Sequence, residues 1–326
     1  MKTSGKKIFT FGPVPSRRLG RSLGIDFVPF KTCTYDCIYC QLGRTTNKTM
    51  ERREYFPVDA VLKETEKKLR KIERPDYITL SGSGEPTLHS RIGDIISGIK
   101  EFSDVPVAVL TNGSLLWDGE VRDLISAADL VIPSLDAGSE EMFLRVNRPH
   151  SGILFKKMIK GLRLFREQFK GDIWLEVFIT GGVTDTESEI LEIKRLVDYI
   201  APERVQLNTA VRTPAEKYAG LVDKKRMDEF SAFFGRHCEV IADYANVHNL
   251  SEFSSTREDV LSLIRLRPCS IDDISAGLGL HRNETVKYVQ ELVDKKLIRI
   301  EERYGKKLYS GYQTEKINNR RKDKKK

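Results

Sequence analysis

Residues 33–40 read Cys33-Thr34-Tyr35-Asp36-Cys37-Ile38-Tyr39-Cys40. The chain has five cysteines in 326 residues, and three of them stand here in a C-x3-C-x2-C spacing; Cys238 and Cys269 are solitary. An odd count clustered this way does not build a disulfide framework, whereas thiolates converging from one short loop suit a metal. A structural zinc site takes four ligands, and the next histidine along the chain is His89. A [4Fe–4S] cubane on three thiolates would keep one iron open to an outside ligand, an arrangement for chemistry rather than plain electron transfer. Three buried cysteines without metal is the remaining alternative.

Outward from the cysteines, from Leu23 to about Ala242, short β-rich runs alternate with amphipathic helical ones. The predicted strands are Leu23–Val28, Tyr77–Leu80, Val105–Leu110, Asp129–Pro133, Ile173–Ile179 and Arg204–Asn208. Helical spacing marks Val58–Ile72, Ile92–Phe102, Leu154–Phe169, Glu187–Ile200 and Lys224–Arg236, with a short apolar run at Cys238–Ala242. Repeated βα units imply a parallel sheet with helices outside it. Six units fall short of the eight of a complete barrel. The expectation is therefore an α/β fold, a partial (β/α)6 barrel of the TIM type.

In such barrels function gathers at the carboxyl ends of strands. After Tyr77–Leu80 comes Ser81-Gly82-Ser83-Gly84-Glu85-Pro86-Thr87-Leu88. Its glycines let backbone approach a ligand, and the Glu85 carboxylate can hold an ammonium group. Thr111-Asn112-Gly113 ends the third predicted strand, Ser134-Leu135-Asp136 the fourth and Thr180-Gly181-Gly182 the fifth. Asn-Gly is also a common turn. Asn112 and Gly181 read equally as turn residues, Asp136 as a loop carboxylate, and Arg212 either as a partner for a carboxylate or phosphate or as a surface residue. Neither a general base nor a hydrogen donor is assignable.

The spacing of Cys33, Cys37 and Cys40, with the aromatic Tyr39 before the last cysteine, resembles the signature of the radical S-adenosylmethionine (SAM) superfamily. The resemblance implies a partial barrel core and a [4Fe–4S] cluster whose open iron binds the amino and carboxylate groups of SAM. It also implies reductive cleavage to methionine and a 5′-deoxyadenosyl radical, with electrons from a donor such as flavodoxin or ferredoxin. Gly82–Pro86 is similar to the family's Gly-Gly-Glu-type segment, so Gly84 and Glu85 would meet the methionine amino group. Ser134 and Asp136 would face the ribose, Gly181 the adenine, and Tyr39 and Asn112 would complete the cofactor site. Phe11–Gly43 with Ser81–Leu88 resembles the subgroup related to the wybutosine tRNA-modifying synthases, over roughly residues 8–245. No cysteine precedes Cys33, so the additional cysteines that those synthases carry there are missing.

Ahead of the cysteines stand Arg17, Arg18 and Arg21 among Pro and Gly. They can neutralise a phosphorylated substrate or satisfy loop carbonyls and Asp26. From Thr256 the pattern changes. Helices are expected over Arg257–Arg265, Ser270–Ala276 and Glu284–Lys296, with Ser270 and Asp273 as a cap and Gly277–Leu280 as the turn between the second and third. A hairpin of Leu297–Glu301 and Lys307–Tyr309 follows, joined by 303–306. This order resembles a winged helix-turn-helix with 282–288 as recognition helix. Its mixed charge leaves nucleic-acid binding and protein docking both open.

Net charge is +8, and seven Lys or Arg against two acids place +5 of it in residues 313–326. Such a tail either approaches nucleic acid by counterion release or serves as a solubilising, disordered end. The expected organisation is a barrel over 1–245, a polar linker over 246–255, a winged-helix module over 256–312 and the tail. Apolar runs are far shorter than the roughly 20 residues a membrane span needs, and the amino terminus has no apolar core, so a soluble cytoplasmic protein without a membrane partner is expected. The function expected is SAM cleavage that modifies tRNA or another macromolecule. The alternatives are a winged-helix DNA-binding regulator governed by an iron–sulfur cluster, or a radical SAM enzyme acting on a protein or peptide.

Overall fold

The computed structural model describes residues 8–16, 18–211, 214–242, 257–278, 280, 282–303 and 305–311. Arg17, Arg212, the 246–255 linker and the 313–326 tail lie outside the described residues. In chain order the strands are β1 (Thr10–Ser16), β2 (Gly20–Ile25), β3 (Thr32–Cys33), β4 (Asn47–Lys48), β5 (Tyr77–Leu80), β6 (Val107–Thr111), β7 (Leu130–Pro133), β8 (Asp172–Ile179), β9 (Arg204–Thr209) and β10 (Cys238–Val240). The helices among them are α1 (Val58–Leu69), α2 (Ile92–Phe102), α3 (Gly119–Ile125), α4 (Glu140–Val146), α5 (Phe155–Gln168), α6 (Glu187–Ile200) and α7 (Lys224–Phe234).

The main sheet runs β1-β2-β5-β6-β7-β8-β9-β10. All its pairings are parallel except that of β1 with β2. The six expected strands lie side by side in chain order, and the sheet exceeds the six-unit expectation by one strand at each edge. The first expected strand is also shifted. It begins at Gly20, because Gly20 and Arg21 pair with Ser16 and Pro15, and it ends at Ile25, because the Asp26 carboxylate turns to accept Ser83 N–H and Oγ–H (3.1 and 2.7 Å).

Strand side chains alternate between two faces. On β8, Ile173, Leu175, Val177 and Ile179 join the large core under the helices, while Trp174 faces the barrel interior with Ala108, Leu130, Ile132 and Leu19. Leu19 reaches there from the loop after β1. Beside it Arg18 pairs with Glu176 (2.5 Å) and reaches Gln206 (3.5 Å), so this loop fills the interior beneath the strand ends. The helix starts are set by side chains that accept backbone N–H groups: Asp118 for α3, Ser139 for α4, Thr186 for α6 and Asp223 for α7.

Farther along lie α8 (Arg257–Leu266), α9 (Ile271–Leu278), α10 (Arg282–Asp294) and an antiparallel hairpin of β11 (Ile298–Arg303) and β12 (Lys306–Gly311). They share a separate apolar core that includes Val260, Leu263, Ile274, Leu292 and Ile298. Ser270 and Asp273 cap α9 reciprocally, Asp273 N–H donating to Ser270 Oγ (3.1 Å) and Ser270 N–H to Asp273 Oδ2 (2.9 Å). Here α9 continues through Leu278, where a turn was expected, because Leu278 is fully buried in this core. The third helix starts at Arg282, earlier than expected, and both hairpin strands are longer than expected. α8 and α9 pack on the edge strand β1. Val14 of β1 contacts the second core, and Lys68 of α1 pairs with Asp259 of α8 (3.2 Å). Among the described residues no helix is long and apolar enough to cross a membrane.

Candidate functional site

The cysteine loop leaves the short parallel pair β3–β4, which aligns Thr32 with Asn47 and Cys33 with Lys48. Backbone bonds clip it to the end of α4 and the following turn: Asp36 N–H to Asn147 O (3.0 Å) and Arg148 O (3.3 Å), Ile38 N–H to Val146 O (2.9 Å) and His150 N–H to Thr34 O (2.8 Å). Each sulfur then meets a side-chain N–H donor from a different segment, and Cys33 also accepts from the Tyr35 backbone. Asn112 Nδ2 lies 3.5 Å from Cys33 Sγ, Asn147 Nδ2 3.6 Å from Cys37 Sγ and Lys31 Nζ 3.2 Å from Cys40 Sγ. Burial, with Glu85 next in weight, pushes the Cys33 thiol up to about 12. Burial and then Asp136 raise Cys37 well above the usual thiol range. A metal ion beside the sulfurs would oppose this rise, because a cation favours the thiolate. Among the described residues no three His, Cys, Asp or Glu side chains converge on a point suited to one ion. The donor set fits a multi-iron cluster: three half-buried thiols on one loop, an N–H donor on each, and the buried Tyr35 Oη and Asn147 Oδ1 with no hydrogen-bond partner among the described residues.

The turn after β5 is laced to the residues just before Cys33. Lys31 N–H donates to Ser83 O (2.7 Å) and Glu85 N–H to Thr32 O (3.0 Å). A Cβ on Gly84 would stand 2.4 Å from Thr32 O, so backbone contact demands glycine there. Glu85 is 3% exposed. Its Oε1 accepts Thr87 N–H (3.1 Å), Thr87 Oγ–H (2.6 Å) and Thr111 Oγ–H (2.6 Å), and its Oε2 accepts Asn112 N–H (2.8 Å). Burial raises its pKa, and these donors oppose the rise.

Tyr39 stacks on Phe178 of β8, with ring centroids 3.9 Å apart at 13°, and donates its hydroxyl to Asp136 Oδ2 (2.5 Å). Asp136 also accepts Asn147 Nδ2–H (2.7 Å) on Oδ2 and Phe178 N–H (3.2 Å) on Oδ1. Burial lifts it to about 6. Ser134 follows β7 and bridges to Glu176. Asn112, besides its contact with Cys33, donates to Thr34 Oγ (2.7 Å). Gly181 pairs with Gly220, and a Cβ on it would stand 2.6 Å from Leu221 O, so chain packing already accounts for this glycine.

Cys33, Cys37, Cys40, Tyr39, Glu85, Asn112 and Asp136 thus form one connected neighbourhood, with Gly84 against the strand before Cys33. Ser134 and Gly181 sit at strand ends around it. Arg18 faces Glu176 inside the barrel and Arg21 pairs with Glu73 (2.7 Å). Asp26 binds Ser83. Sequence reasoning missed Lys31, Asn147, Thr111 and Phe178; an aromatic on the inward face of β8 was the one legible signal among them. Of the solitary cysteines, Cys269 is fully buried, and Cys238 is half-buried with its thiol raised to about 11 by burial.

The chain belongs to the radical SAM superfamily, whose family model matches residues 27–197. Members of this superfamily use a [4Fe–4S] cluster and SAM. A UPF0026 protein from Methanocaldococcus jannaschii is 35% identical over 298 residues, covering 89% of this chain and 92% of that one. A protein named GTPase Obg from Brachyspira hyodysenteriae is 38% identical over 294 residues, 89% of this chain, but the chain spans only 43% of that protein's length. In fold, a radical SAM methyltransferase from Sphaerobacter thermophilus matches with a TM-score of 0.52 at 17% identity, over 67% of this chain and 66% of that one.

Proposed function

We propose that this protein holds a [4Fe–4S] cluster on Cys33, Cys37 and Cys40, binds SAM beside it, and modifies a nucleic acid, tRNA above all. The observation that carries the reading is the cysteine loop itself, with a side-chain N–H donor on each sulfur and a buried carboxylate, Glu85, one short turn away. When bound, the cluster and SAM supply a one-electron reduction of the sulfonium and, from it, a 5′-deoxyadenosyl radical that abstracts hydrogen. The chain's own residues hold the reactants. Glu85 Oε2, with Asn112 N–H as its described partner, receives the SAM ammonium, while Oε1 is fixed by Thr87 and Thr111. Asp136 sets the Tyr39 ring against Phe178 as an aromatic wall. Gly84 keeps the turn against Thr32 O, and Ser134 and Gly181 stand at the strand ends around these residues.

Residues 1–245 and 256–312 act as two modules, and the second is a winged helix-turn-helix. Lys306 and Lys307 are exposed on its hairpin, the basic residues 313–326 follow in sequence, and the likeness of Phe11–Gly43 with Ser81–Leu88 to the wybutosine-related subgroup supports RNA. A one-electron donor such as flavodoxin or ferredoxin would supply the electron.

Anaerobic reconstitution should give about four irons per chain, and reduced protein with SAM should release 5′-deoxyadenosine. Incubation with cellular RNA and nucleoside mass analysis should then reveal a new modified base. RNA affinity should fall with salt at a slope of about 0.7 per phosphate contacted. Stoichiometric zinc with no iron would overturn the cluster assignment, and modification of peptide but not RNA would overturn the substrate.

A further inference from the structure

Lys31 combines two unusual features. Its backbone lies in the left-handed region (φ 55°), which lysine rarely adopts, and its side chain is among the buried ones at 3% exposure. The backbone is fixed from both sides, Lys31 N–H donating to Ser83 O (2.7 Å) and Lys31 O accepting Asn47 N–H (3.1 Å). That posture aims the ammonium inward, 3.2 Å from Cys40 Sγ. A buried ammonium needs an anionic partner. A neutral thiol is a poor one, whereas a ligating thiolate is a good one. Of the carboxylates, Glu85 acts on the Cys33 sulfur and Asp136 on that of Cys37. Both oppose added negative charge, and Lys31 supplies the opposing positive one.

Resting on the cluster reading above, we infer that Lys31 is a positioning residue that eases reduction of the cluster by holding a positive charge on the Cys40 side. Reduction adds one electron to the cluster, and a fixed cation beside a ligating sulfur favours the more negative state. Asn112 and Asn147 donate neutral N–H groups to the other two sulfurs, so the charge effect belongs to Lys31.

The test is a redox titration of the reconstituted full-length chain without SAM, followed by electron paramagnetic resonance, for wild type, Lys31→Met, Lys31→Gln and Lys31→Arg. Lys31→Met and Lys31→Gln keep a side chain of similar length without charge. Each should keep its irons but lower the reduction equilibrium at least tenfold, 59 mV for a one-electron couple, while Lys31→Arg should stay near wild type. Loss of iron in both neutral variants, with iron retained in Lys31→Arg, would overturn the inference as stated and move the charge from easing reduction to holding the cluster. A full cluster with unchanged potential in the neutral variants would overturn the inference, as would loss of iron in all three, which would mark a role in loop folding. If the wild-type chain itself assembles no iron cluster, the cluster reading falls and Lys31 with it. If it does and the variants match it, only Lys31 falls.

Discussion

The turns after β5 and β7 each end on a buried carboxylate, Glu85 and Asp136, and both are 3% exposed. Their partners differ in origin. Glu85 draws its donors from its own turn and the next strand end, Thr87, Thr111 and Asn112. Asp136 draws its donors from the cysteine loop, from the end of α4 and from β8, through Tyr39, Asn147 and Phe178. Each carboxylate keeps one oxygen with a single described donor, Asn112 N–H on Glu85 Oε2 and Phe178 N–H on Asp136 Oδ1. The Glu85 carboxylate takes no described donor from the cysteine loop, whereas Asp136 joins three separate segments through Tyr39, Asn147 and Phe178. An acid after a parallel strand can thus be a receptor or a brace, and only the source of its hydrogen bonds tells which.

The largest test removes what both turns surround. Cys33→Ala, Cys37→Ala and Cys40→Ala should each drop iron from about four per chain to near none and abolish 5′-deoxyadenosine formation, whereas Cys238→Ala and Cys269→Ala should keep the cluster. Next, Glu85→Gln should retain the cluster and weaken SAM binding by roughly tenfold or more, since about 1.4 kcal/mol is one decade; isothermal titration of the reconstituted protein measures it. Asp136→Asn should instead cost about 1–3 kcal/mol of stability, because an amide turned toward Asn147 and Phe178 leaves buried donors facing donors; chemical unfolding of the iron-free chain reads this. Equal loss of SAM affinity in both variants would break the comparison. The smallest effect is that of Tyr39→Phe, which should cost about 0.5–1.5 kcal/mol alone and little in the Asp136→Asn background. A double-mutant cycle that came out additive would uncouple the two residues.

What the sequence disclosed follows the same division. The spacing of Cys33, Cys37 and Cys40 and the Gly82–Pro86 turn were legible because their chemistry is local. Strands such as Tyr77–Leu80 were legible because central parallel strands are buried on both faces and read as apolar runs. β1 escaped notice because Gly12, Pro13 and Pro15 interrupt it, and an edge strand tolerates them. α3 and α4 are seven residues each, too short for periodicity to speak. Asn147 meets Cys37 across 110 residues of chain, and no spacing announces such a partner. Lys31 escaped for another reason: a lone lysine reads as surface unless its backbone angle is known.

β1 bears a consequence for how the protein is made. It is the antiparallel strand at one edge of the sheet, and the helices that cover that edge, α8 and α9, come late in the chain. About 240 residues separate the end of β1 from the start of α8, so at roughly 5–20 residues per second the ribosome leaves this edge bare for about 12–50 s. During that interval its outer N–H and C=O groups are a template for any neighbouring strand. These late helices therefore close the edge of a sheet made long before them, and a chain cut short before Arg257 would emerge with an adhesive seam even though every residue proposed to hold the cluster had already been made.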